Sequence, residues 1–395
     1  SDLDQPSTRQ GRLEFEFGGG TASVRITRAH LEEDVGKNFH FERQSGVDFN
    51  RAGVPLLEIV SEPDLTGPDM AVAYLNALKE VLEQGGISDC DMEKGMVRCD
   101  VNVSVRPKGS TALGAKIEIK NMDSFSGVRR ALEYEIPRQI EVVTRGGKLV
   151  QSTRRWDDVA GLTEEMRTKE DAHDYRYFPE PDLMPFAPTA EWLAAVRARV
   201  VELPLARKQR LMRDYQLPAG DAEVLKSNVA LGRYFEAIAG RAATPKAVAN
   251  WVINTLQARL AELNERERSE QAALGVEPAD VRLTGLDGLK FKPESLLELI
   301  GLVENKTLSN SAAQQVFAEM FETGKAPAVI VQEKGLAQVS DTGAIERFCD
   351  EVIAANPGPA ADFRAGKVAA LNFLKGQVMK ASKGKANPGV AGEIL

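Results

Sequence analysis

Carboxylates are concentrated in the first third of the chain, in three different sequence settings. Three consecutive acids, Glu32 to Asp34, stand in the segment HLEEDVGK, Glu58 lies inside the apolar run VPLLEIV, and Asp100 and Glu118 follow in alternating segments. A ligand set made of oxygens alone suits Mg²⁺, which takes few protein carboxylates and keeps waters and substrate phosphates. Glu58 is the hardest of these acids to explain as solvated surface, because a carboxylate within an apolar strand needs a partner.

Basic side chains lie among these acids, namely Arg51, Arg98, Arg106, Lys116 and Lys120. Phosphoryl transfer requires a metal ion with Arg or Lys, because negative charge must be neutralised on the oxygens of the transferred group. The combination therefore fits a magnesium-dependent phosphoryl-transfer site, although interspersed acids and bases on strands are more often a solvated surface of charge pairs. The common nucleotide-binding patterns, GxxxxGK[ST] and GxGxxG before a helix, do not occur in the chain.

The polar face of two alternating segments carries several of these residues. Residues 97–106 and 116–120 alternate strictly between apolar and polar side chains, which predicts two half-buried strands joined as a hairpin. Their polar face, with Asp100, Glu118 and Lys120, fits a substrate site, and it equally fits a solvated surface of cross-strand charge pairs. The spacing alone leaves both interpretations open.

Two further segments are rich in functional side chains. The segment HDYRYFPEPDLMPF (173–186) has three prolines and no usable period. His173 there is either a catalytic group or part of a rigid loop that docks domains. Near the end of the chain, Lys367, Lys375, Lys380, Lys383 and Lys385 follow one another without an intervening acid. These lysines form either a solubilising tail or a contact surface for a phosphate backbone.

The elements that must position these residues can be predicted from their periods. RLEFEF and ASVRIT, separated by GGG, predict a hairpin, and VPLLEIV predicts a central strand. Helices are predicted from Pro68 to the Gly85-Gly86 pair and from Ser124 to the Gly146-Gly147 pair, with a kink or a break at Pro137. A further strand is predicted in GKLVQSTRRWD.

The second half of the chain is predicted to be helical, with a linker at 277–294. The fold class is therefore α+β: a β-rich domain, followed by an all-helical domain and a small helical tail domain. The boundaries are predicted at 1–187, 188–290 and 291–395.

Composition excludes several classes of protein. The chain has 395 residues and a net charge of −8, so no general basic field attracts nucleic acid. Cys90, Cys99 and Cys349 form no CxxC pair, which argues against a disulfide framework or a cysteine zinc site and favours a reducing, intracellular location. No stretch approaches the roughly 20 apolar residues of a membrane span.

Several long motifs occur together and in one order along the chain. They are HLEEDVGK, VDFNRAGVPLLEIVSEPD, RCDVNVSVRPKG, EIKNMDSF, ALEYEI and RQI on either side of Pro137, HDYRYFPEPDL and KGQVMKASKGKANP. This set closely resembles the B subunit of the bacterial and organellar tRNA-dependent amidotransferases, and the resemblance covers essentially the whole chain. It implies a cradle-like catalytic domain, a helical domain and a tail domain that contacts tRNA.

The resemblance also implies an activity and its partners. Glutamyl-tRNA(Gln) or aspartyl-tRNA(Asn) is converted to the cognate amide with ATP and glutamine. The B subunit phosphorylates the side-chain carboxylate on the tRNA, and ammonia arrives from an amidase-type A subunit, with a small C subunit completing a heterotrimer. The expected cofactors are Mg²⁺ and ATP, and the expected location is the cytoplasm, or an organellar matrix in a eukaryote.

Site residues follow from the resemblance and from the strand faces. The resemblance makes Glu33, Glu58, Asp100 and Glu118 magnesium ligands or their neighbours. The strand-face argument assigns Arg98 and Lys120 to phosphate or to developing negative charge. The tRNA-binding residues are expected to be Lys375, Lys380, Lys383 and Lys385.

The chain departs from the family at its start. Members begin with a strand carrying a Gly-Leu-Glu-Val-His motif, and some have zinc-binding cysteines soon after; neither occurs here. We therefore expect the first domain to be N-terminally incomplete. Two alternatives to a catalytic subunit follow: a tRNA-docking scaffold without a complete active site, and, without the family, a stand-alone magnesium-dependent phosphotransferase.

Overall fold

The structure is a computed structural model that divides the chain into two compact units, Ser1–Arg207 and Lys208–Leu395. The residues it describes are 8–41, 43–92, 94–168, 187–338, 342–382 and 384–395. The predicted α+β class is confirmed, since strands lie in the first unit and the second unit is helical in its described residues. None of the described helices has the length and apolar character needed to cross a membrane.

Strands in the first unit form three sheets. The strands are β1 (Thr8–Phe17), β2 (Gly20–Glu33), β3 (Lys37–His40), β4 (Ser45–Asp48), β5 (Pro55–Ser61), β6 (Cys99–Val103), β7 (Ile117–Met122), β8 (Ser152–Asp157) and β9 (Leu162–Thr168). Their order is β1-β2-β5 in one sheet, β3-β4 in a ribbon, and β6-β7-β8-β9 in the third sheet. Only β7 and β8 pair in parallel; every other described pair is antiparallel.

Both predicted hairpins are present. The β1–β2 connection turns at Gly18 and Gly19, whose φ angles are 60° and 80°, and glycine tolerates this region at both central positions of a tight hairpin turn. The β6–β7 pair is antiparallel as predicted.

The prediction of a central strand for VPLLEIV is wrong. This segment is β5, and among the described strands it pairs with β2 alone, so it lies at an edge of its sheet. Its residues after Pro55 are half-buried, and an apolar run of this length does not reveal how many neighbouring strands it has.

Helices of the first unit are α1 (Pro68–Gln84), α2 (Phe125–Thr144) and α3 (Ala190–Arg199). Ser124 caps α2, because its hydroxyl accepts the Gly127 N–H at 3.0 Å. The helix continues through Pro137 without a break.

One hydrophobic core joins α1 and α2 to both larger sheets. It includes Phe15 and Val24 of the first sheet, Ile119 of the other sheet, and Tyr74 and Val128 of the helices. Burying the apolar face of β6 and β7 against α2 leaves their polar face turned away from the core, and this arrangement positions the candidate site.

The second unit is built from short helices. They are α4 (Pro204–Asp214, which spans the boundary between the units), α5 (Ala219–Ser227), α6 (Val229–Ala239), α7 (Pro245–Asn250), α8 (Gln257–Ala273), α9 (Pro293–Glu304), α10 (Asn310–Thr323), α11 (Pro327–Lys334), α12 (Thr342–Ala355), α13 (Pro357–Arg364), α14 (Val368–Ala381) and α15 (Pro388–Ile394). A π-helical segment, Trp251–Leu256, joins α7 to α8.

Two separate cores stabilise this unit. One collects buried side chains from Leu211 to Val331, and the other collects side chains from Ile345 to Ala391. The first core therefore has members on both sides of residue 290. The three-part division at 187 and 290 stays a prediction.

Candidate active site

A β-bulge shapes the polar face of the β6–β7 hairpin. Val101 pairs with Ile119 and Cys99 pairs with Met122, so Lys120 and Asn121 together stand opposite Asp100. Asn121 has a φ of 69°. Bulges re-aim a side chain and are over-represented beside active sites; here the bulge sets Lys120 against Asp100.

Lys120 lies between two carboxylates. Its Nζ donates to Asp100 Oδ2 at 2.7 Å and lies 3.5 Å from Glu118 Oε1. Burial lowers the pKa of Lys120, but the hydrogen bond and charge of Asp100, with Glu118, outweigh that effect and leave the pKa raised. Lys120 is therefore a cation at neutral pH, and the three side chains together carry one net negative charge.

Glu118 is fixed from the neighbouring strand. The Thr153 hydroxyl on β8 donates to Glu118 Oε2 at 2.9 Å, and these two residues are register partners in the parallel pair. The Glu118 side chain is 17% exposed, whereas that of Asp100 is 50% exposed. Asp100 is thus the more accessible carboxylate of the pair.

Glu58 has the partner that its sequence setting requires. Arg28 on β2 donates from Nη2 to Glu58 Oε1 at 2.7 Å. His30 is the register partner of Glu58, and its Nδ1 is buried without a hydrogen-bond partner among the described residues. Sequence reasoning gave His30 no role, because a single histidine carries no spacing signal.

Arg98 reaches the other sheet through Asp34. The Asp34 carboxylate accepts a hydrogen bond from Arg51 Nε at 2.7 Å and lies 3.6 Å from Arg98 Nη2. The hydrogen bond from Arg51 lowers the pKa of Asp34 more than burial raises it. This contact links the end of β2 to the residue that precedes β6, and sequence reasoning had not paired these residues.

The predicted metal ligands do not form one cluster. Asp100 and Glu118 converge on Lys120, Glu58 pairs with Arg28, and the Glu33 side chain lies against Gly53. Within the part of the chain that the structure describes, no three Asp, Glu, His or Cys side chains come close enough to hold a metal ion together. A magnesium site assembled from protein ligands alone is therefore absent there.

The predicted tRNA-binding lysines lie on and after α14. The Lys375 side chain is half-buried and lies over Gly392 of α15, so closely that a Cβ at that glycine would overlap it. Lys380 and Lys385 are exposed, and neither has an ion pair with a described residue. Lys383 lies outside the described residues, as does the His173 segment.

Comparison with known proteins extends these observations. Residues 1–194 match a family model described as the GatB/GatE catalytic domain, and residues 233–395 match a second family model, the GatB domain. Among similar curated proteins are the aspartyl/glutamyl-tRNA(Asn/Gln) amidotransferase B subunits of Myxococcus xanthus, at 48% identity, and of Caldanaerobacter subterraneus subsp. tengcongensis, at 47% identity. Both alignments cover 100% of this chain and 79% of the relative. The resemblance is confirmed: the chain belongs to the family of aspartyl/glutamyl-tRNA(Asn/Gln) amidotransferase B subunits.

Proposed function

We propose that this chain is the kinase and transamidase subunit of a tRNA-dependent amidotransferase, acting on glutamyl-tRNA(Gln), aspartyl-tRNA(Asn) or both. The observation that carries the proposal is the Asp100–Lys120–Glu118 cluster on the polar face of a bulged hairpin. Membership of the family supplies the substrate class. The cluster supplies the charged groups that phosphoryl transfer requires.

The proposed reaction has two steps. A side-chain carboxylate oxygen of the acylated tRNA attacks the γ-phosphorus of ATP, and the bond from that phosphorus to the bridging oxygen breaks to release ADP. Ammonia then attacks the acyl phosphate carbon, phosphate leaves with its oxygen, and the nitrogen loses a proton to give the amide. Lys120 and Arg98 are the groups we assign to negative charge on the transferred phosphoryl group.

The carboxylates of the site fit a Mg²⁺ ion whose ligands come partly from the protein and partly from the substrate. Mg²⁺ needs only one or two protein carboxylates when nucleotide phosphates and waters complete its shell. Asp100 and Glu118 offer these carboxylates, with Glu33 and Glu58 as further ligands or neighbours. The His30 Nδ1 has no hydrogen-bond partner among the described residues, which supports a bound group near its register partner Glu58. When bound, Mg²⁺ would offset the repulsion between ATP and the substrate carboxylate.

The partners of this subunit follow from the same proposal. An amidase-type A subunit would produce ammonia from glutamine, and a small C subunit would complete the heterotrimer, so that the chain is active only in the complex. Misacylated tRNA would contact the tail lysines. We place this complex in the cytoplasm, or in an organellar matrix in a eukaryote.

The test uses the chain with purified A and C subunits, Mg²⁺, ATP, glutamine and labelled glutamyl-tRNA(Gln). ADP release and glutaminyl-tRNA formation are followed together. Asp100→Asn and Glu118→Gln should each lower both rates by about 100-fold, the usual order for removing one electrostatic group from a preorganised site.

The matched control is Glu164→Gln. Glu164 is an exposed acid on β9 of the same sheet and pairs with Arg155 at 2.7 Å, so its neutralisation should leave both rates within twofold of wild type. Binding of tRNA without ADP release by the wild-type complex would contradict a catalytic role. Wild-type rates in both Asp100→Asn and Glu118→Gln would mean that the reaction does not take place at this hairpin.

A further inference from the structure

Asp34 is a buried acid whose two oxygens are both occupied. The residue follows β2 directly, and its side chain is 7% exposed. One carboxylate oxygen, Oδ1, accepts the Val35 N–H at 2.9 Å. The other, Oδ2, accepts a hydrogen bond from Arg51 Nε and lies 3.6 Å from Arg98 Nη2. Because each oxygen is used by the protein, Asp34 differs from its exposed neighbour Glu33 and is not suited to binding a metal ion.

The backbone around Asp34 is also fixed. Its N–H donates to the Val54 carbonyl at 2.9 Å, and its carbonyl accepts the Gly53 N–H at 3.0 Å. These bonds tie the end of β2 to the turn that leads into β5. Asp34 therefore presents its carboxylate from a rigid position, where a long partner side chain can be held in one orientation.

The two arginines at Asp34 are held to different extents. Arg51 donates from Nε to Asp34 and from Nη1 to the Gly95 carbonyl at 3.0 Å, which braces the loop that precedes β6. Among the described residues, the 3.6 Å approach to Asp34 is the one ion-pair contact of Arg98, and its side chain is 65% exposed. Two cations and one anion leave the group with one net positive charge, and Arg98, at 65% exposed against 39% for Arg51, is the more accessible cation.

We infer that Asp34 is a positioning residue that acts through Arg98: it holds the Arg98 guanidinium at the start of β6 so that its outward N–H groups bind an oxyanion of the substrate. The inference rests on the proposed function and deepens it. The oxyanion is either a phosphate of ATP or the carboxylate on the acylated tRNA end. Arg51 fixes the loop and does not itself bind the substrate.

The physical advantage is a lower cost of ordering. An arginine side chain loses much rotamer freedom when it binds an anion, and a preformed orientation reduces this loss at the moment of binding. Without the Asp34 carboxylate, Arg98 would keep its charge but lose its fixed position. A displacement of this kind commonly lowers the rate by about 10- to 100-fold.

The test is a double-mutant cycle in the complete complex. Asp34→Asn should lower kcat/KM by about 10- to 100-fold, and Arg98→Gln should lower it at least as far. In the Arg98→Gln background, Asp34→Asn should lower kcat/KM by a clearly smaller factor, because Arg98 is already gone and only the bracing of the loop through Arg51 is still lost. Equal fold losses in both backgrounds, or an Arg98→Gln variant with wild-type kinetics, overturn the inference.

Asp64→Asn is the matched control for loss of an ion pair. Asp64 accepts hydrogen bonds from Nε of Arg25 at 2.9 Å and from its Nη2 at 2.6 Å. Arg25 lies on β2, the strand that Asp34 follows, and Asp64 has no contact with Arg98. This variant should lose stability while keeping kcat/KM within twofold of wild type. If Asp34→Asn fails to fold, Asp34→Glu keeps the charge but moves it, and the same cycle applies to that variant.

Equilibrium binding separates this inference from the proposed function. ATP and glutamyl-tRNA are titrated separately against wild type, Asp34→Asn and Asp34→Asn/Arg98→Gln, without the other substrates needed for turnover. Weaker binding of ATP alone identifies a phosphate as the oxyanion, and weaker binding of glutamyl-tRNA alone identifies the acylated end. If Asp34→Asn binds both ATP and glutamyl-tRNA as wild type does, the inference is overturned. If wild type shows no amidation but Asp34→Asn binds one of these substrates more weakly, only the proposed function is contradicted.

Discussion

Asp64 illustrates how one ion pair makes stability depend on pH. The hydrogen bonds from the Arg25 side chain and backbone lower the pKa of Asp64 to about 2. The carboxyl of an aspartate in an unfolded chain has a pKa of about 3.9, so the folded state binds this proton less readily. The resulting stabilisation is fully present above the unfolded pKa and is lost as the pH falls towards 2.

Asp64→Asn should therefore lower the Tm of the protein at pH 6 and have little effect near pH 2. Thermal unfolding followed by circular dichroism across this range measures the difference. Asp69→Asn removes a more exposed pair with Arg129, in which the carboxyl is 67% exposed, and should have a smaller effect at pH 6 because exposed pairs contribute little. A difference between Asp64→Asn and wild type that persists at pH 2 would point to lost packing instead.

At the scale of secondary structure elements, a buried polar network joins α2 to the four-stranded sheet. Glu135 on α2 is fully buried and accepts hydrogen bonds from Arg138 at 2.6 Å, the Thr163 hydroxyl at 2.7 Å and Gln139 at 3.0 Å. Burial raises the pKa of Glu135, but these hydrogen bonds outweigh it and leave the pKa lowered. Arg154 Nε also lies 3.5 Å from this carboxylate.

Glu135→Ala should destabilise the protein by about 3–5 kcal/mol, because it leaves buried polar partners without their anion. Urea unfolding of the whole chain measures this change. Glu133→Ala, an exposed position of the same helix, should change the free energy of unfolding by less than about 0.5 kcal/mol. Equal effects of the two variants would mean that the network adds nothing beyond helix propensity.

Sequence patterns predicted the elements that depend on local signals. The β1–β2 hairpin, the start of α2 at Ser124 and the alternation that puts Asp100, Glu118 and Lys120 on one face could all be read from neighbouring residues. Of the kink or break expected at Pro137, the break is contradicted, since the helix runs through this residue; the packing of α2 against the sheets outweighs one missing hydrogen bond.

Features that depend on pairing between distant segments could not be read in this way. The bulge at Asn121 is a shift in register, and a register is invisible until the partner strand is known. The contact of Asp34 with Arg98 joins residues far apart in the chain, so neither residue type nor spacing predicted it. The acids of the candidate site and their partner Lys120 were found, but Arg28 as the partner of Glu58 and Thr153 as the partner of Glu118 were not.

At the scale of the whole molecule, charge is distributed unevenly although the chain has a net charge of −8. Several lysines of the second unit pair with acids; Lys367, for example, lies 2.8 Å from Asp362. Lys380 and Lys385 are exposed and make no ion pair with a described residue. A tail with such cations can bind a phosphate backbone without a basic field over the whole protein.

Replacement of Lys380 and Lys385 by Ala should weaken tRNA binding by the complex and flatten its salt dependence. Each lost phosphate contact reduces the slope of log K against log salt by roughly 0.7–0.9, so two contacts should reduce it by roughly 1.4–1.8. Fluorescence anisotropy with labelled tRNA at several salt concentrations measures the slope. Lys375 is kept, because its side chain packs over Gly392 and its loss would disturb α15.

Lys367→Ala is the control for this pair of lysines, because it removes a lysine whose charge is already balanced by Asp362. Its salt slope should equal that of wild type. If the variant that lacks both Lys380 and Lys385 has the same salt slope as wild type, these two lysines do not contact tRNA and have a solubilising role. A reduced slope with unchanged ADP release at saturating tRNA would separate the two sites: the tail would bind the tRNA body, and the β6–β7 hairpin would act on its acylated end.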